Sequence, residues 1–229
     1  MAEKLLDIKD ERLSFFTPAG EVKALNGVSL SMEQGEVLGI VGESGSGKSV
    51  TAYSVMGLTA YPGKLIGGTI RFNGHKIDEM SEKEFRKIRG NEVSIIFQDP
   101  MTSLNPVFRI GAQIDEVIAL HEGEGKSEED IKKRTIEMLE TVGIANSEGV
   151  YQMYPHELSG GMRQRAALIR TLVLRPELRL LDEPFSALDY QTRLNVSNDI
   201  GNILRQEHKT AILVTHDLSE AISMGDRVI

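Results

Sequence analysis

The chain has 229 residues, of which 40% are hydrophobic and 26% charged, and its formal net charge is −8. That length allows a sizeable core, in one large domain or in one domain carrying an inserted lobe. The acidic balance argues against non-specific nucleic-acid binding, and the absence of cysteine excludes disulfides and thiolate metal sites and agrees with a reducing compartment. The opening MAEKLLDIKDER is charged and lacks the apolar core of a signal peptide. No stretch reaches the roughly 18–20 apolar residues that cross a bilayer, so a membrane role is expected to come through partner subunits.

Strand-like and helix-like segments alternate along the chain, which predicts an α/β architecture. Val28–Leu30 alternates as a half-exposed strand does. Val37–Val41 (VLGIV) is a short apolar run, readable as a buried strand. A glycine-rich segment follows and turns helical. Thr69–Phe72 and Val93–Phe97 read as further strands. From about Pro100 to Arg175 the pattern is helical, with little strand signal. Ser127 with Asp130 resembles a capping box. Ile131, Met138, Leu139 and Val142 then recur at helical spacing, and Gly143 is a plausible stop. Glu122–Ser127 (EGEGKS) reads as a flexible loop. After Leu158 a second helix carries Met162, Ala166, Ile169 and Val173, and Pro176 ends it. Strands resume at Leu178–Leu181 and Ala211–Val214. This pattern predicts a core made of residues 1–99 and 176–229, with residues 100–175 inserted as a helical lobe.

Two segments carry chemistry. Gly42, Glu43, Ser44, Gly45, Ser46, Gly47, Lys48 and Ser49 read GESGSGKS, a full match to G-x-x-x-x-G-K-[ST] between a predicted strand and a predicted helix. Glycines let the backbone curl so that its N–H groups point at phosphate oxygens, and the helix N-terminus, into which Val50 continues, adds a favourable dipole. Lys48 is expected at the β- and γ-phosphates, and the Ser49 hydroxyl on Mg²⁺. The second segment is Leu178–Glu183 (LRLLDE), an apolar strand ending in two acids. Asp182 is expected to hold Mg²⁺, directly or through water, and Glu183 to polarise an attacking water. Arg179 is discordant, because a charge in a central parallel strand is costly unless it reaches solvent or a partner. It is expected near the strand entrance.

Leu158–Met162 reads LSGGM and is followed by RQR. This resembles the signature motif of ABC-transporter ATPases, with Met162 in place of the more usual Gln. Other elements resemble the family in position and order. Gln98 is similar to the Q-loop glutamine, which touches Mg²⁺ or water. Ser186–Asp189 (SALD) resembles the D-loop, and His216, ending AILVTH, resembles the switch histidine that donates to the γ-phosphate. Phe15, with Phe16 as second choice, lies where the family places an aromatic on adenine. Ser159, Gly160 and Gly161 start a helix and form a second anion-binding cap. The remaining histidines, His75, His121, His156 and His208, show no metal-ligand spacing.

The resemblance covers essentially the whole chain. It implies an α/β fold: a P-loop NTPase core of mixed, largely parallel sheet flanked by helices, with an antiparallel β portion and the inserted helical lobe. It implies ATP and Mg²⁺ as ligands and a dimer, homo- or heteromeric, in which the cap at Ser159 closes over the γ-phosphate bound by the other subunit. It also implies transmembrane permease partners, no nucleic acid, and a cytoplasmic location on the inner face of the cell membrane. Family members usually continue beyond DRVI with more strand and a C-terminal helix. The first half, through IIFQDPMTSLNPV at Ile95–Val107, resembles ATPases of peptide and nickel importers. The second, through DEPFSALDYQTRL at Asp182–Leu194, resembles those of nitrate, sulfonate and taurine importers. The change falls near YPHELSGGMRQR at Tyr154–Arg165, so a hybrid arising by recombination or design stands beside a natural intermediate branch. Two other functions stay open: a folded nucleotide-binding hybrid with little turnover, and a soluble non-transport ABC ATPase.

Overall fold

Apolar β-branched runs and alternating half-exposed runs sort into two different sheets. A computed structural model describes residues 4–97, 104–172, 176–186, 188, 190–206 and 208–229; the side chains of 171, 172, 192 and 206 are not described. The long hairpin β1 (Lys4–Thr17) and β2 (Gly20–Glu33) is joined by β4 (Gly63–Phe72) and the short β5 (His75–Lys76) in an antiparallel sheet of order β2-β1-β4-β5. The second sheet has the order β6-β7-β8-β3-β9 and comprises β3 (Val37–Val41), β6 (Val93–Ile96), β7 (Leu178–Asp182), β8 (Thr210–Thr215) and β9 (Arg227–Val228). All its pairings are parallel. The antiparallel portion therefore forms a sheet of its own.

The apolar runs are buried on both faces, as parallel strands covered by helices require. Every residue of β7 and of β8 is buried. Strand alternation splits their side chains between two cores. Leu38, Leu180, Ile212 and Val214 join Leu6, Ile8, Phe72 and Val55, so one face packs against the antiparallel sheet and helix α1 (Lys48–Val55). Ala211, Leu213 and Leu181 join Ile114, Leu139, Ala166, Ile169 and Phe185 on the other face. There the helices are α3 (Ile110–Glu122), α4 (Glu128–Thr141), α5 (Ser147–Gln152) and α6 (Gly160–Leu172), which pack on one another, and α6 also packs on α7 (Tyr190–Gln206). The helical region thus shares a continuous core with the sheet. Two short helices complete the fold: α2 (Glu82–Ile88) after β5, and α8 (Leu218–Met224) between β8 and β9.

Most expected elements are present with longer bounds. Val28–Leu30 lies within a strand that runs from Gly20 to Glu33, and Thr69–Phe72 is the end of one that begins at Gly63. The bulges between Ile8 and Arg12 explain why β1 escaped detection, since each irregularity resets the period-two pattern. The Ser127 capping box is formed: Asp130 N donates to Ser127 Oγ at 3.2 Å, and Ser127 N donates to Asp130 Oδ2 at 3.0 Å. Arg179 lies at the strand entrance, second in β7, but it is fully buried and does not reach solvent. Alternation puts it on the face of Leu181, towards the helices. Val173 and Arg175 fall outside the described residues.

One buried acid carries an energetic consequence. Glu11, in the β1 bulge opposite Val28, is fully buried, and among the described residues neither carboxyl oxygen has a hydrogen-bond partner. Burial raises its pKa from 4.5 to about 7. The Ser54 hydroxyl nearby does not offset the burial, because its proton is given to the Thr51 carbonyl at 2.7 Å. The folded state favours neutral Glu11, so its contribution to stability is full below the unfolded pKa near 4.5 and is lost as pH rises through about 7. Glu11→Gln should abolish that loss and gain up to about 3 kcal/mol over wild type in alkaline buffer. Thermal melts at pH ~5 and ~8 measure it, and parallel pH profiles for the two proteins would refute it.

Candidate functional site

The register of the parallel sheet ends three adjacent strands at one level. Val41 pairs with Thr215 across β3 and β8, and Asp182 pairs with Val214 across β7 and β8. The next residues, Gly42, Glu183 and His216, therefore leave the same edge of the sheet. Ligands of open α/β sheets bind outside this carboxyl edge.

From Gly42 the chain curls and enters α1. Gly45 has φ 81° and Gly47 φ 97°, left-handed values that glycine adopts without steric cost. At Gly47 a Cβ would also lie 2.7 Å from Leu25 Cδ2 and 3.0 Å from the Ala24 carbonyl oxygen. Glu43, Ser44, Gly45 and Ser46 are exposed on the rim, whereas Lys48 is buried. Its Nζ donates to the carbonyls of Gly42 at 2.8 Å and Glu43 at 2.7 Å. The ammonium thus sits inside the curl. A cleft of about 180 Å³ opens there, lined by Ala24, Ser44, Gly45, Gly47, Lys48, Ser49, Val50 and Glu183. A glycine curl, a helix N-terminus and a buried ammonium fit a polyphosphate.

Beside this cleft Ser49 Oγ donates to Asp182 Oδ1 at 2.7 Å, and Asp182 is buried. A hydroxyl and a carboxylate next to a phosphate cradle are the hard oxygen donors that Mg²⁺ takes alongside phosphate oxygens. Among the described residues no group of three or more His, Cys, Asp or Glu could hold a metal without such help. Glu183 follows Asp182 with φ 44°, unusual for a residue with a side chain. The turn is locked by its neighbours. Glu183 N donates to the Val214 carbonyl at 2.8 Å, and the Ser186 N and Oγ donate to the Glu183 carbonyl at 3.2 and 3.0 Å. His216 Nδ1 lies 3.4 Å from Glu183 Oε2, with the imidazole half exposed.

The loop bearing His216 is held from below. Thr215 Oγ1 donates to Glu220 Oε2 at 2.7 Å, and Asp217 caps α8 by accepting from Ser219 N at 2.8 Å. Arg193 reaches both acids from α7, with nitrogens 3.9 Å from Asp217 Oδ2 and 3.7 Å from Glu220 Oε1. Burial raises the Glu220 pKa above its ordinary value, against the lowering effect of the Thr215 bond. Sequence reasoning missed Arg193, Glu220 and Tyr53, whose hydroxyl donates to the second Asp182 oxygen. A signal existed only for Tyr53: it stands four residues after Ser49 and so shares its helix face.

Other expected residues lie apart. Phe15 is half-buried and packs towards β4, where a Cβ on Gly63 would stand 2.8 Å from its ring. Phe16 is exposed, with the Lys64 ammonium 6.0 Å from its centroid. Neither ring lines the cleft. Ser159 caps α6, its Oγ accepting from Met162 N at 3.3 Å. With Gly160 and Gly161 it also lies outside the cleft lining. Gln98 and Asp189 fall outside the described residues.

This geometry agrees with the comparisons. The sequence profile of the ABC transporter family matches residues 25–186. The oligopeptide transport ATP-binding protein OppD of Escherichia coli K12 is 44% identical over 228 residues, covering 100% of this chain and 67% of that protein. The dipeptide transport ATP-binding protein DppD of Lactococcus lactis subsp. cremoris is 42% identical, covering 99% and 64%. The chain thus spans about two thirds of the length of these relatives, and the likeness to peptide-transport subunits runs through both of its halves. The dimeric post-hydrolysis structure of the ATP-binding cassette MJ0796 with ADP and Pi superposes with a TM-score of 0.83 at 28% identity, covering 98% of this chain and 93% of that one. The chain belongs to the ABC transporter family and is an ATP-binding cassette with the ATPase fold of that class.

Replacing Gly47 by alanine would put a Cβ into the Ala24 carbonyl and force a left-handed residue. Gly47→Ala should cost on the order of 1–3 kcal/mol of stability and remove the thermal stabilisation that ATP gives the wild type. Melts with and without nucleotide check both; a variant still stabilised by ATP to the same degree would contradict this account of the loop.

Proposed function

We propose that this chain is the ATP-hydrolysing subunit of a peptide importer. The observation that carries the reading is the joint presence of the cleft at Lys48, Ser49, Asp182 and Glu183 and a likeness to the oligopeptide subunit along the entire chain. A second reading, uptake of nitrate, sulfonate or taurine, rests on resemblances in the second half of the chain, at Arg163–Leu172, Asp182–Leu194 and Thr215–Val228.

The roles of the residues follow from their chemistry. The curl from Gly42 to Gly47 and the start of α1 at Lys48, Ser49 and Val50 receive the triphosphate. Lys48 exchanges its two carbonyl partners for β- and γ-phosphoryl oxygens. Ser49, Asp182 and Gln98 would hold Mg²⁺, which when bound would supply Lewis-acid charge beside the phosphates. Glu183 orients water and takes its proton as the oxygen attacks the γ-phosphorus, while the bond to the ADP oxygen breaks to release ADP and phosphate. His216 donates to the γ-phosphoryl group, and its contact with Glu183 keeps both side chains at the attack side. Phe15 stacks on adenine.

Ser159, Gly160, Gly161 and Asp189 act on the nucleotide of a second cassette, homo- or heteromeric. The separation of the first three from the phosphate cleft of their own chain supports this head-to-tail arrangement, as does the dimeric form of the structural relative. Residues 100–175 then act as a helical subdomain on the core of 1–99 and 176–229, and carry closure to transmembrane permease subunits at the inner face of the membrane. Among the described residues no helix is long and apolar enough to cross a membrane.

Mg²⁺-dependent ATP hydrolysis measured against protein concentration tests the reading. Wild type should rise faster than linearly, and Glu183→Gln should lose at least about 100-fold of its rate while still binding ATP. Linear dependence would remove the shared site, and an active Glu183→Gln would remove the assigned base.

A further inference from the structure

Asp182 receives two donors from one helix. Ser49 opens α1 and donates to Oδ1 at 2.7 Å, and Tyr53, one turn later, donates to Oδ2 at 2.5 Å. Both oxygens of a buried carboxylate are thereby occupied. The Tyr53 ring packs at the border of the core shared by α1 and the parallel sheet, and lies 6.1 Å from the ring of Phe97. Its hydroxyl therefore arrives from a held ring rather than from a free side chain.

We propose that Tyr53 is a positioning residue for the divalent cation, acting through Asp182. This rests on the reading of Ser49 and Asp182 as the cation-holding pair. The two bonds have different fates. The Ser49 oxygen, turned to a cation, no longer offers its proton to Asp182, so Oδ1 becomes free to face the same cation or its water. Nothing removes the Tyr53 donor, which sits on the opposite oxygen. Tyr53 therefore keeps the carboxylate plane fixed through the exchange. A carboxylate ordered before the cation arrives pays less conformational entropy to bind it, and partners of this outer kind commonly change metal affinity by 10–100-fold. The phenol also draws charge from Oδ2, which weakens attraction for the cation. Ordering dominates here, because loss of the donated bond would leave a buried carboxylate oxygen without that partner.

The test separates binding with and without cation. A fluorescent ADP analogue is titrated in EDTA and in Mg²⁺, and the ratio of the two dissociation constants is the cation coupling. Tyr53→Phe keeps the ring and removes the hydroxyl. It should leave the EDTA value unchanged and lower the coupling roughly tenfold. Phe97→Leu removes the ring contact but leaves the Tyr53 hydroxyl in place, and should keep wild-type coupling. Asp182→Asn should lose nearly all coupling. If Asp182→Asn retains it, the cation site itself is misassigned and the proposal falls with it. If Asp182→Asn loses coupling while Tyr53→Phe keeps it, the role of Tyr53 alone is overturned. A Phe97→Leu protein as defective as Tyr53→Phe would mean that packing of the ring, and not the hydroxyl, is what matters.

Discussion

The site depends on the register of three parallel strands. β3, β8 and β7 are neighbours, and their pairings end Val41, Thr215 and Asp182 at one level. Successive strand residues point to opposite faces, so a slip of one residue in β7 would turn Asp182 away from Ser49 and send its carboxylate into an apolar layer. The burial of both faces of β7 and β8 prevents such a slip, because it would also exchange Leu180 and Leu181 between two different cores. The catalytic edge is thus a by-product of core packing. Its chemistry is held in place by apolar residues that never touch a ligand.

Polar groups around that edge follow the rule that burial demands partners. Lys48 is buried and finds two carbonyls of its own loop; Asp182 is buried and finds two hydroxyls. Thr215 and Glu220 satisfy each other beneath the His216 loop. The bonds of Lys48 to its loop carbonyls and of Ser49 to Asp182 are ones that a nucleotide or a cation can displace without unfolding their surroundings. Glu183 is the exception: its backbone is held in a left-handed turn by hydrogen bonds from two sides. Strain kept in this way fits a residue whose direction matters more than its partners.

The shared core bears on the proposed coupling between the nucleotide and the helical region. α6 begins at Gly160, packs on α7 and β6, and shares a hydrophobic core with Phe185, two residues after Glu183. A shift at the carboxyl edge thus has a contiguous apolar route into the helices.

The phosphate loop, the acidic pair, the signature motif and the histidine were legible because each is local. The motif GESGSGKS needs only a strand before it and a helix after it, and LRLLDE carries its own apolar run. The strands β3, β7 and β8 were legible for the same reason, as short uninterrupted apolar runs. By itself the sequence determined the family, the glycine-rich loop that leads into α1 and the two acids at the end of β7. β1 was hidden because its bulges break the alternation on which strand reading relies. Tertiary structure alone decided that Arg179 is buried, that the antiparallel strands form their own sheet, and that Tyr53 and Arg193 support Asp182 and the His216 loop. These outcomes join segments that are not neighbours in sequence, the furthest being Tyr53 and Asp182, 129 positions apart. Which long-range partners meet is settled by strand order and register, and neither leaves a periodic trace in the chain.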